Sequence, residues 1–400
     1  MFATEWTISF TVILFAQNVL ANNVINVGLL LVDNIPEREV NIGYRTPASA
    51  VLIARDRIEA ENLLPGYKIN FTHSFDQCDE QLAVGIIVEM IYNRKIHALI
   101  GPTCNRPKLP SNSFSLCIAL RSILFSFGWY QFGFLCSAEH NNERCTAIKN
   151  DLQKAISMTN GMTINYIGEF VRFDEESILN KLKKMAARAR IVVVCLPEGR
   201  GMKRKLMLTV RDGGYLTEEF VYIFADTVSK GFSYPLPGGK QHMYWFDRNI
   251  PGDGRDEEAL EAFKRVFTLS DHTEVGLTAS KNKNFSEEVV SRMKEPPFEC
   301  ISECQGKKYS AAAQFASQLH DAVYVYARAL NRTLAKNSAN LRNGREILKN
   351  IVMTFDGESG QVTMGRDGTR LPTFFLDSLN ENGEQILRGA VSVDGHHGVS

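Results

Sequence analysis

The chain has 400 residues, 44% hydrophobic and 22% charged, and its 45 Lys+Arg balance 45 Asp+Glu to a formal net charge of zero. That composition belongs to a folded globular chain and excludes an intrinsically disordered one. With no basic field, nucleic acid is excluded as a partner class, and the length fits two or three domains or one large two-lobed unit.

Residues 1–21 read as a secretory signal peptide. Trp6 to Ala16 is mostly apolar, and Val19-Leu20-Ala21 offers small residues at cleavage offsets, although no Lys or Arg precedes the apolar run. Export places the chain in the secretory pathway, on the extracellular side. There eight cysteines, at 78, 104, 117, 136, 145, 195, 300 and 304, default to disulfides. Three Asn-x-Ser/Thr triplets, at Asn70, Asn284 and Asn331, are candidate glycosylation sites. No later run reaches the roughly 18 apolar residues of a membrane span, so none is expected within the chain.

Val24 to Val32 is a near-continuous apolar run, the pattern of a strand buried on both faces. A helix is expected over 47–64, opened by Pro47 and closed at Leu64-Pro65-Gly66. A strand at 68–73, a helix at 82–92 and a strand at 98–100 complete a β-α-β-α-β order, which implies right-handed crossovers and a parallel sheet. The order then breaks. Residues 105–113 are polar with two prolines, and 114–136 is almost wholly apolar, with room for one short helix and one strand. Alternation resumes with helices at 143–159, 175–189 and 201–213 and strands at 162–170, 190–196 and 220–225. A further strand is expected at 243–249 and helices at 257–267, 286–293, 309–334 and 344–353. Residues 354–377 read as a hairpin with its return strand at 371–376. The boundaries are a first lobe over 22–136, a second over 137–290, and a crossover back over 291–400.

Catalytic and metal signatures are missing. There is no G-x-S-x-G elbow, no H-E-x-x-H and no phosphate-binding G-x-x-x-x-G-K-[ST]. Cys300-x-x-x-Cys304 lacks a second pair at metal-finger spacing and reads as a short-loop disulfide or a pair of free thiols. The run Arg200, Lys203, Arg204 and Lys205 reads as a solvated basic helix face, with an anion-binding or lobe-contact role as the alternative. Thr103 and Cys104 offer backbone N–H groups at a strand end, a place for an anion. His97 reads as structural.

Several segments occur together and in order: Asn62-Leu63-Leu64-Pro65-Gly66-Tyr67, Cys78 with Gly101-Pro102-Thr103-Cys104, Arg144-Cys145 with Val193-Val194-Cys195, His320 to Leu330, and Phe355 to Gly360 with Asp367-Gly368-Thr369-Arg370. With them the chain resembles the extracellular ligand-binding domain of receptor guanylyl cyclases, natriuretic peptide receptors included. That resemblance implies an α/β, bilobal type I periplasmic-binding-protein fold with two doubly wound parallel sheets. It implies disulfides Cys78–Cys104 and Cys145–Cys195, with Cys300–Cys304 as a third candidate; Cys117 and Cys136 stay unassigned. It also implies a chloride at the Thr103–Cys104 turn and an extracellular peptide or small-molecule ligand, with association into a homodimer. No cyclase or kinase-like part is present, so no enzymatic activity of the chain itself is expected. Only forty residues separate Cys104 from Cys145, so the first lobe is expected to be shortened, with 114–125 as an apolar patch over the gap. The alternatives are a secreted solute-binding protein of the same fold and a non-functional shortened variant.

Overall fold

The computed structural model describes residues 23–35, 43–101, 113–137, 143–197, 201–225, 231–271 and 278–393. Strand β1 (Asn23–Leu31) starts the first lobe, and its apolar residues from Ile25 onward are buried as the continuous run requires. Helix α1 (Ala50–Ala60) follows and buries Val51, Leu52, Ala54 and Ile58. Then come β2 (Tyr67–Phe75), α2 (Glu80–Tyr92) and β3 (Ala98–Ile100). Asp79 caps α2 by accepting from the Leu82 N–H at 2.8 Å. The three strands form a parallel sheet in the order β2-β1-β3.

The next segment belongs elsewhere than expected. Helix α3 (Ser113–Ser126) and strand β4 (Gln131–Ser137) join the second sheet, although the sequence boundary at 136 put them in the first lobe. β4 buries Phe132 and Phe134 on one face and Leu135 on the other, so it suits a sheet interior, where it pairs in parallel with two neighbours. Leu116, Ile118, Leu120, Ile123 and Leu124 of α3 are buried in the same core as Phe132 and Phe134. The 114–125 segment is therefore second-lobe core and not a cover over a first-lobe gap.

The second lobe continues through α4 (Glu143–Ser157), β5 (Thr163–Phe170), α5 (Glu175–Ala186), β6 (Ile191–Cys195), α6 (Met202–Asp212) and β7 (Val221–Ala225). A small hairpin, β8 (Ser233–Pro235) and β9 (Gln241–Met243), precedes α7 (Asp256–Phe263) and β10 (Val266–Ser270). Two expectations change here. The 243–249 strand is the end of β9 followed by turns. The 257–267 helix stops at Phe263, because the alternating Val266-Phe267-Thr268-Leu269 pairs in parallel with β7.

Helix α8 (Thr278–Arg292) starts earlier than expected and packs on α1 of the first lobe, where the Ser49 hydroxyl donates to the Val289 carbonyl and Arg292 pairs with Asp56 at 2.6 Å. Helix α9 (Ala316–Lys336) begins seven residues after the expected Tyr309. It packs its Val323, Tyr324, Ala327 and Leu330 into the first-lobe core. Helix α10 (Gly344–Lys349) leads to an antiparallel sheet of β11 (Thr354–Gly357), β12 (Gly360–Met364) and β13 (Arg370–Leu371). The expected return strand does not close that hairpin. After Pro372 it crosses to the second lobe as β14 (Thr373–Leu379), and β15 (Gln385–Ser392) follows antiparallel to it. The second sheet is seven-stranded in the order β15-β14-β10-β7-β6-β4-β5, parallel from β10 to β5. Only three parallel strands are described in the first lobe.

Candidate ligand-binding cleft

A cleft of about 580 Å³ lies between the two lobes, within the size range of small-molecule sites. Thr46, just before α1, lines it from the first lobe and Asp271, at the end of β10, from the second. Ligands of open α/β sheets gather at such strand ends. Its apolar wall includes Phe285, Ala313, Leu236 and Phe375. Lys283, Glu287 and Lys308 are exposed at its rim.

Four local devices shape the walls. First, Arg45 gathers the end of β1. Its guanidinium meets Asp33 at 3.2 Å and Asn34 Oδ1 at 2.9 Å, and donates to the Tyr309 hydroxyl at 3.2 Å. Second, the Ser286 hydroxyl of α8 accepts from the Ala312 N–H at 2.8 Å, which fixes the 310–313 segment to the first lobe.

Third, Asp321 of α9 sits under the β11–β12 turn. Its carboxylate accepts from Glu358 N–H and Ser359 N–H, both at 2.9 Å, and from the Ser359 hydroxyl at 2.5 Å, and faces His320 Nδ1 at 2.8 Å. Burial alone would raise its pKa, but the hydrogen bonds from His320 and Ser359 outweigh burial and hold it below the usual value. Gly357 is glycine because any Cβ there would collide with that carboxylate. The turn presents Glu358, Ser359 and Gly360 to the cleft, and Arg370 comes alongside, donating to Ser359 Oγ at 2.7 Å.

Fourth, the lobes touch across the cleft at the β8–β9 turn. Gly238 and Gly239 have φ of +76° and +73°, and they lie against Lys307 and Ala311 of the first lobe. Two glycines there allow both the left-handed backbone and the close approach.

The expected site residues are scattered around this cleft. The structure links Cys145 to Cys195 and Cys300 to Cys304, with Cα–Cα distances of 5.7 and 5.6 Å. Cys78 is disulfide-bonded. Its expected partner Cys104 and the anion turn at Thr103–Cys104 lie outside the described residues. Cys117 and Cys136 are buried free thiols, and burial, then Glu169, pushes Cys136 up to about 12. Asn70 and Asn284 are exposed. Asn331 is half-buried, and its triplet's Thr333 is buried with its hydroxyl on the Ala329 carbonyl. His97 accepts from the Asn26 N–H at 3.0 Å, a structural role.

The basic run is corrected at two of its four positions: Lys205 is exposed as expected, and Arg200 lies outside the described residues. Lys203 and Arg204 are buried, not solvated. Lys203 donates to the Tyr244 hydroxyl at 3.0 Å. Arg204 clamps Asp253, Asp256 and the Trp245 carbonyl, tying the 244–256 loop to α6. Among the described residues no group of His, Cys, Asp and Glu is placed to hold a metal, and no helix is long and apolar enough to cross a membrane.

The fold is that of solved periplasmic binding proteins. A branched-chain amino acid ABC transporter periplasmic ligand-binding protein from Burkholderia xenovorans superposes with a TM-score of 0.59 at 11% identity, covering 92% of this chain and 95% of that one. An R. palustris ABC transporter solute-binding protein in complex with benzoate gives 0.52 at 13% identity, covering 94% and 99%. In sequence, receptor-type guanylate cyclase gcy-7 of Caenorhabditis elegans is 34% identical over 93% of this chain, which spans 37% of the relative's length. The model of the receptor family ligand binding region matches in two stretches, 46–109 and 108–382. Placed between these sequence relatives and that fold, the chain belongs to the receptor family ligand binding region, as found in receptor-type guanylate cyclases.

Proposed function

We propose that the chain senses an extracellular ligand by holding it in the cleft between its lobes, as the ectodomain part of a receptor-type guanylate cyclase. The carrying observation is the 580 Å³ cleft itself, walled by both lobes and mixing apolar surface with a few fixed polar groups. Of the two ligand classes open to this family, the small molecule fits that volume better than a peptide. The structural neighbours' names, for benzoate and branched-chain amino acids, point the same way. A ligand touching both walls binds the closed arrangement better than an open one and so shifts the lobes toward closure. Transmission of that closure to a cyclase requires parts beyond the matched region, and the chain itself is assigned no catalysis.

Secretion, with glycans on exposed Asn70 and Asn284, fits this role; Asn331 is the poorest acceptor because it is half-buried in α9 and its triplet's Thr333 is buried. Homodimer formation has its own observation. Helix α2 leaves Leu82, Val84, Val88, Ile91 and Tyr92 more than 40% exposed, an apolar face that a second copy would cover.

The test is a thermal-shift screen of the secreted chain against small organic ligands, repeated with Phe375→Arg to fill the cleft. A ligand at a hundred times its Kd stabilises by about 2.7 kcal/mol. Hits lost in Phe375→Arg support the cleft. Hits that survive it place the ligand elsewhere.

A further inference from the structure

We infer that Arg370 is the anchor of the cleft for a carboxylate group, so that the ligand class is a small carboxylic acid with an apolar body. The inference deepens the reading of the cleft given above and rests on it.

Arg370 opens β13, two residues before Pro372, where the chain leaves the first lobe for the second. It lines the cleft. Its guanidinium donates to Ser359 Oγ at 2.7 Å, the Ser359 carbonyl at 3.3 Å and the Gln361 carbonyl at 3.1 Å. All three are neutral oxygens. Among the described residues no carboxylate lies within ion-pair distance of it. The nearby Asp321 is spent on the Glu358 and Ser359 amides, the Ser359 hydroxyl and His320. Asp271 acts on it only through space.

A largely buried cation without a contacting anion is costly, and burial weakens its hold on the proton. Its orientation is nonetheless fixed, by Ser359 and by the Asp321 cradle beneath that serine. A pre-oriented guanidinium has five N–H donors in a planar fork that matches a carboxylate in two-point geometry. Phe285 and Phe375 supply apolar surface for the rest of the ligand. Glu358 and Asp271 share the wall, and two acids beside one arginine disfavour a multiply charged anion such as phosphate and suit a single carboxylate.

The experiment is ligand-observed NMR on the full secreted chain with matched probes. These are benzoate and isoleucine against benzamide and isoleucinamide, with inorganic phosphate as competitor. The variants are Arg370→Gln, Arg370→Lys and Phe375→Arg. The expected result is carboxylate binding that weakens at least tenfold in Arg370→Gln and less in Arg370→Lys, while amide binding is weak and the same in all but Phe375→Arg. Carboxylates that bind Arg370→Gln as well as the parent chain overturn the inference and leave the cleft standing. So does phosphate competing as well as the acids. Binding of any probe that is untouched by Phe375→Arg, or no binding by any probe, overturns the cleft reading and the inference with it.

Discussion

Gly239 is the sharpest place to perturb lobe closure without touching a ligand-facing side chain. A methyl group added there would lie 2.5 Å from the Ala311 Cβ, and that atom cannot swing away because it is fixed to its own backbone. Relief comes by moving the β8–β9 turn away from the 307–311 segment, which opens the cleft. Two costs must be separated. The left-handed φ of +73° penalises alanine by about 1–2 kcal/mol in open and closed arrangements alike, so it lowers stability only. The overpacking, about 1–3 kcal/mol, falls on the closed arrangement alone. At 1.4 kcal/mol per factor of ten, Gly239→Ala is expected to weaken ligand binding by about 5- to 150-fold. Gly254→Ala is the control: its φ is +75°, yet nothing lies within 4 Å of an added Cβ. The assay is small-angle scattering for lobe separation together with ligand titration of both variants. Equal effects of the two substitutions on affinity, or no increase in lobe separation for Gly239→Ala, would refute the reasoning.

Three further outcomes are expected. Asp321→Asn replaces one of the two acceptor oxygens by an NH2 group and leaves half-buried donors of the turn without an acceptor, at about 1–3 kcal/mol each, for a total loss of about 2–4 kcal/mol in urea unfolding. Because the Asp321 carboxyl titrates below its unfolded value, its stabilisation is complete above the ordinary aspartate range, near 3.9, and disappears as pH falls through the depressed value; Asp321→Asn should therefore flatten the acid limb of the stability curve. Arg204→Met removes the clamp on Asp253, held near 2 chiefly by its hydrogen bonds from Arg204; carboxylate NMR should show that group titrating higher and limited proteolysis should cut within 245–255. Replacing Cys145 and Cys195 together by serine releases a loop of 50 residues, which loop entropy makes worth about 4 kcal/mol, read as a lower midpoint in non-reducing denaturation.

How much of this was legible in the chain varies with the range of the interactions. The strands of continuous apolar character, β1 and β6, were plain, as were the amphipathic helices α5 and α9. The assignment of 113–137 to the wrong lobe has a physical cause. An apolar helix and strand advertise burial but not against which sheet, and β4 is placed by pairing with β5 and β6, which come later in the chain. Burial of Arg204 is illegible locally for the same reason: the acids that pair with it, Asp253 and Asp256, are some fifty residues away. β15 was missed because its Gly389 and its alternation of half-buried and exposed residues give a weak strand signal, and β14 supplies the ladder. The cleft residues were the least legible. Ser359 and Arg370 lay in segments that carried the family resemblance, yet nothing local shows that Asp321 cradles one or that the other faces a cleft.

Hydrogen-exchange mass spectrometry, on the secreted chain with and without a ligand found in the screen, tests the central claim most directly. A ligand held in the cleft protects both walls at once, in 235–241 and 373–375 of the second lobe and in 308–313 and 358–361 of the first. Protection confined to α2, with both cleft walls unchanged, would contradict it and assign ligand recognition to the exposed helix face instead.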